Sequence, residues 1–78
     1  MDIKVRYFAS MRDRMGRAEE TVTVERDGIT VEELWRQVAG GQEMPPNLLI
    51  AVNMEYTDAS RQLKSGDEVA FFPPVTGG

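Results

Sequence analysis

Residues 66–78 read GDEVAFFPPVTGG, and the fold turns on how this stretch is divided. Glu68 to Phe72 has the alternation of a strand, with Val69 and Phe71 on one face and Ala70 and Phe72 on the other. Gly66 supplies the positive φ that the preceding KSGD turn demands. Pro73 and Pro74 lack amide donors and hold φ near −65°, so the sheet pairing must stop there and the chain must leave in an extended, stiff form. The six residues from Pro73 to Gly78 reach at most about 20 Å at ~3.3–3.6 Å each.

A last strand that is apolar on one face needs neighbours, and the start of the chain provides one. Residues 3–9, IKVRYFA, alternate as well: Ile3, Val5 and Tyr7 on one face, Lys4, Arg6 and Phe8 on the other. Thr21 to Val24 is β-branched and predicts a second strand paired with the first, and Asp27-Gly28 marks a turn. Between these strands Ser10 is placed to cap a short helical turn, with Met11 and Met15 on one face as core filling and Gly16 as the stop. Thr30-Val31-Glu32-Glu33 is a capping box, so a helix starts at Val31. Val31, Leu34, Trp35 and Val38 form its apolar stripe, which assigns Trp35 to the core, and Gly40-Gly41 ends it. QEMPPN is a loop, Leu48 to Asn53 an apolar strand, and a brief strand follows near Glu55 and Tyr56.

The order strand, strand, helix, strand, short strand, strand predicts an α+β chain. Its mixed twisted sheet carries one main helix on one face, with the first and last strands as central parallel neighbours. This is the β-grasp, or ubiquitin-like, arrangement. The expected organisation is a single domain over residues 1–72 with an extended tail over 73–78. A ferredoxin-like sandwich would need a second full helix after Tyr56, and residues 57–64 have neither the length nor an apolar stripe for it. In the β-grasp arrangement Phe8 and Phe72 become outward neighbours on adjacent strands. A lone outward aromatic is ordinary surface; a pair points to a protein partner.

Composition narrows the chemistry. The 78 residues include no cysteine and no histidine, which removes thiolate nucleophiles, histidine-based triads and soft-metal centres. At this length the core is small and no disulfide reinforces it. Nine basic and thirteen acidic side chains give a net charge of −4, contrary to nucleic-acid binding. Charges at every second position from Asp2 to Arg6 exclude a signal-peptide apolar region, and no apolar run approaches a membrane span; a cytoplasmic location is expected. The tail then stands out. Gly77 and Gly78 have no Cβ and could pass through a slot closed to branched residues, behind a proline spacer and the apolar grip of Val75. Terminal glycines can equally be unselected and frayed. If a partner handles the terminal carboxylate, nucleotide activation is the sensible first step, and since GxxxxGK[ST] is absent the activating site belongs to that partner.

The ending GDEVAFFPPVTGG, with IKVRYFA, RDRMG and LIAVN in their expected order, resembles the molybdopterin synthase small subunit, the sulfur-carrier MoaD family, over essentially the whole chain. The resemblance implies that Gly78 is adenylated by an ATP-dependent, E1-like adenylyltransferase of MoeB type. A sulfur-donor system then converts it to a thiocarboxylate, which delivers sulfur to cyclic pyranopterin monophosphate inside a MoaE-type large subunit. The family assembles as a heterotetramer of two small and two large subunits. Carried onto this chain, Gly78 bears the reactive group, Gly77, Thr76, Val75, Pro74 and Pro73 form the inserting arm, and Phe8, Phe72 and Arg12 belong to the partner interface. Arg6 departs from the more apolar residue expected at its position. No cofactor or metal is expected on the chain itself, and no membrane or nucleic acid as partner. The other readings are a carrier for thiamine-thiazole or tungsten-cofactor synthesis, a ubiquitin-like protein modifier, and a plain binding module.

Overall fold

The computed structural model describes residues 1–25 and 27–74. Seven elements follow one another: β1 (Asp2–Tyr7), α1 (Ser10–Met15), β2 (Glu19–Thr23), α2 (Val31–Val38), β3 (Leu49–Val52), β4 (Glu55–Thr57) and β5 (Glu68–Phe72). The five strands make one sheet in the order β2-β1-β5-β3-β4. β1 and β5 are parallel, pairing Val5 with Val69 and Tyr7 with Phe71, while β2 and β3 flank them antiparallel. This is the mixed β-grasp sheet expected from the element order.

Alternation divides the sheet into two faces. Ile3, Val5, Tyr7, Val22, Ile50, Val52, Val69 and Phe71 are buried with Val31, Leu34 and Trp35 of α2 in one core. Trp35 meets the edge of Phe71 at a centroid distance of 5.1 Å. Complete burial of side chains this large stabilises the fold by about 1.5–3 kcal/mol each. α2 begins as expected: the Thr30 side chain accepts from the Glu33 amide at 3.2 Å, and the Glu33 carboxylate accepts from the Thr30 amide at 3.1 Å.

Three local readings are corrected. Ser10 does not cap α1; it is the first helical residue, and Ala9, at φ 51° and ψ −129°, occupies the cap position with no side-chain hydrogen bond. The chain must turn sharply to enter α1 straight from β1, and this places the serine one residue too late to cap. Met11 is buried and Gly16 ends the helix in the left-handed region, both as expected. β2 runs from Glu19 to Thr23, and Val24 lies just past its end although still buried, where it extends the β1–β2 register by one more pair, its amide donating to the Met1 carbonyl at 2.8 Å. β1 ends at Tyr7, yet the Phe8 amide still donates to the Phe71 carbonyl at 3.1 Å, so Phe8 keeps the strand's outward alternation.

At the β1–β2 boundary the Tyr7 hydroxyl donates to Glu20 Oε2 at 2.7 Å, and Arg17 binds the other Glu20 oxygen at 3.1 Å. Burial, and next the hydrogen bond to Glu20, push the Tyr7 phenol above its ordinary pKa. Because the folded value is raised, the neutral phenol favours the folded state fully below the unfolded value near pH 10, and this stability is lost as the pH rises above it. Tyr7→Phe should therefore flatten the fall in urea midpoint above pH 10; an unchanged alkaline slope would contradict the assignment.

Candidate docking face and tail exit

The sheet face opposite α2 is not covered by any described element. A row of small residues crosses its middle: Ala51 of β3 pairs with Ala70 of β5, and Ala70 with Arg6 of β1. Larger side chains stand around them. Phe8 and Phe72 stack with centroids 4.6 Å apart and planes within 9°. Tyr56, opposite Ala51 on β4, leans on Phe72 at 6.2 Å. Met54 and Glu68 stand at the end away from Phe72, and Arg6 on the β1 side. The result is an apolar depression of about 280 Å³ with alanines as its floor. An alanine pair in a sheet otherwise built of large residues leaves room for a partner's side chain.

Polar groups border the groove in a set arrangement. The Arg6 guanidinium lies over the Phe8 ring at 5.3 Å and pairs with Glu68 at 3.3 Å and Glu19 at 3.9 Å. The departure noted at Arg6 is thus accommodated: its charge is paired along the sheet and its flat face lies on an aromatic ring, so the groove keeps its apolar character. Tyr56 and Met54, 75% and 94% exposed, are the groove members that sequence reading missed. Neither stands out in a short β4 of Glu55–Thr57; the signal available was Ala51, whose small size at an outward position leaves the neighbouring strand's side chain uncovered.

Phe8 and Phe72, expected as an outward pair, are brought together as stated. Arg12 is exposed on α1 and does not line the groove. Pro73 and Pro74 follow β5 without strand structure, Pro73 half-buried and Pro74 exposed. The tail therefore starts at the groove's Phe72 end. The readings placed on Val75, Thr76, Gly77 and Gly78 lie outside the described residues. Among the described residues there is no cluster of acidic side chains able to hold a metal ion, and no helix long and apolar enough to cross a membrane.

The ThiS family model matches residues 5–78. The chain belongs to the ThiS family. A relative from Escherichia coli, the molybdopterin synthase sulfur carrier subunit, is 40% identical over 97% of this chain and 99% of its own length. SAMP1 from Haloferax volcanii superposes with a TM-score of 0.82 over the full length of both chains, at 24% identity, and shares the fold. A solved protein–protein complex of subunits 1 and 2 of the molybdopterin-converting factor from Helicobacter pylori contains a chain that matches with a TM-score of 0.65, 25% identity and full coverage of both. The ThiS-family chain described here is thus a ubiquitin-like β-grasp protein homologous to molybdopterin synthase small subunits.

The two faces of β5 can be told apart by stability. Phe71→Ala should cost about 3–5 kcal/mol. Phe72→Asp, which loses one aromatic stack on an open face, should cost about 1 kcal/mol. Urea unfolding of both variants checks this; comparable losses would mean that the outer face is part of the core.

Proposed function

We propose that this chain is the sulfur-carrier subunit of a molybdopterin synthase, acting through its C-terminal glycine and holding its partners by the aromatic groove. The observation that carries the reading is the position of the Phe8–Phe72 stack at the base of the tail: the apolar docking surface and the departure point of PPVTGG are adjacent residues of one strand end. The full-length relationship to the sulfur carrier subunit of Escherichia coli supports the pathway.

The chain performs no chemistry of its own. A carboxylate becomes reactive when its oxygen is turned into a good leaving group. In the adenylyltransferase, a Gly78 carboxylate oxygen bonds to the α-phosphorus of ATP and pyrophosphate leaves, giving an acyl-adenylate. A hydrosulfide equivalent from the donor system then attacks the acyl carbon and displaces AMP, giving the thiocarboxylate. In the large subunit that sulfur passes to the pterin precursor, and water restores the carboxylate. ATP thus belongs to the adenylyltransferase, and the carrier contributes reach and recognition. Residues 1–72 serve as the handle, Pro73, Pro74, Val75 and Thr76 form the inserting arm, and Gly77 lets it thread. The Helicobacter pylori complex of two converting-factor subunits supports a large-subunit partner of MoaE type, joined in a heterotetramer. Phe8, Phe72 and Tyr56 would supply the aromatic anchors that such interfaces concentrate energy in, with Arg12 at the rim.

Mass spectrometry of the C-terminal peptide from cells containing the activating system should reveal a fraction heavier by about 16 Da, sulfur replacing oxygen. Covalent adducts of whole proteins would instead support the modifier reading, and an unaltered terminus would overturn both. Removing Gly78 should abolish sulfur transfer in a reconstituted synthase while leaving the unfolding curve unchanged. Phe72→Asp should weaken large-subunit binding at least tenfold, the loss of one interface anchor.

A further inference from the structure

Met54 occupies an unusual position for a methionine. Of the five in the chain, Met11 is buried and Met1, Met15 and Met44 pack partly buried against the core, whereas Met54 is 94% exposed. It lies in the turn between β3 and β4, with Asn53 at φ 51° and Met54 at φ 69°, a left-handed pair of the kind that closes two-residue hairpins. The turn is clamped from below. The Asn53 amide donates to the Glu68 carbonyl at 2.8 Å, its side-chain nitrogen donates to Asp67 Oδ1 at 3.0 Å, and its side-chain oxygen accepts from the Glu68 amide at 3.0 Å. Asp67 is itself buried and accepts from the Lys64 amide at 2.8 Å. This network holds Met54 at the lip of the groove, at its Glu68 end, two residues before Tyr56.

We propose that Met54 is a reversible oxidation site whose sulfoxide closes the docking groove to the large subunit; this rests on the groove being the docking face. The oxidant is a hydroperoxide. A lone pair of the Met54 sulfur attacks the terminal peroxide oxygen, the O–O bond breaks, and oxygen is transferred to sulfur. The thioether is oxidised by two electrons and the peroxide is reduced to water or an alcohol. The product replaces a soft apolar contact with a strong S–O dipole. In water that dipole is solvated, so the free carrier is undisturbed. In the complex it would be stripped of water at the groove's Glu68 end, where the carboxylate repels the sulfoxide oxygen and the Arg6 guanidinium is already paired with Glu68 and Glu19. Reversal needs a dithiol-dependent methionine sulfoxide reductase, which returns the thioether and releases water as the dithiol becomes a disulfide.

A carrier is suited to such control because it must leave one partner to reach the next, and each passage exposes the groove. The chain has no cysteine, so in the carboxylate form the five thioethers are its whole oxidisable sulfur. Oxidation also adds about 16 Da, the same nominal increment as the thiocarboxylate, so the two must be separated by peptide rather than by whole mass.

The test treats the carboxylate form of the carrier with limiting hydrogen peroxide, maps the methionines by peptide mass, and titrates the product with the converting-factor large subunit by calorimetry. Met54 should oxidise several times faster than any other methionine, and the singly oxidised carrier should bind roughly five- to tenfold more weakly, recovering after reductase treatment. Met54→Leu should bind with the same affinity before and after peroxide treatment, whatever that affinity is. Equal oxidation of a second methionine, or unchanged affinity with Met54 fully oxidised, overturns the proposal. Unoxidised Phe72→Asp separates the two levels: if it binds normally, the docking face itself is wrong; if it binds weakly while oxidation has no effect, only the role of Met54 fails.

Discussion

The parallel pairing of β1 with β5 organises everything else. It joins residues more than sixty positions apart in the sequence, and its register sets Tyr7 against Phe71 in the core. The next residue of each strand, Phe8 and Phe72, then meets on the opposite face. Because side chains alternate with a period of two, a slip of one residue would exchange the two faces, burying Arg6 and exposing Phe71. The burial of Val5, Tyr7, Val69 and Phe71 beneath α2 therefore fixes the composition of the exposed groove as well as that of the core. Core and outer groove are two consequences of one register.

The same pairing places the tail. Parallel central strands end on the same side of the sheet, so the turn from β1 into α1 and the departure at Pro73 lie together. Proline at that point costs the sheet nothing, since β5 has already made its bonds to both neighbours, and Pro73 and Pro74 have no amide with which to extend the ladder. The groove's Phe72 wall is thus the last strand residue before Pro73. Under the proposed function, a partner that grips the groove holds the residue from which the chain leaves the sheet.

Much of this was legible in local sequence. The capping box at Thr30–Glu33, the stripe of Val31, Leu34 and Trp35, the stop at Gly16 and the alternation of β1 and β5 all depend on neighbours within a few residues, and the structure agrees with each. Ser10 was misread because serine is a good cap wherever the backbone allows one, and here the sharp turn at Ala9 moved the helix start. Tyr56 and Met54 could not be read as groove residues because their position follows from the pairing of β4 with β3, and the turn at Asn53–Met54 is held by Asp67 and Glu68, which come later in the chain.

Sequence alone settled the absence of thiol and imidazole chemistry, the proline-stiffened glycine ending, and the element order that admits a β-grasp sheet, because each is a matter of composition or short-range pattern. The tertiary structure decided which side chains share a surface. Four strands contribute to the groove, from Arg6 and Phe8 at one end of the chain to Ala70 and Phe72 at the other. No local rule relates them; their proximity comes from closing long loops to bury one face of a sheet, and the other face receives whatever the register leaves there.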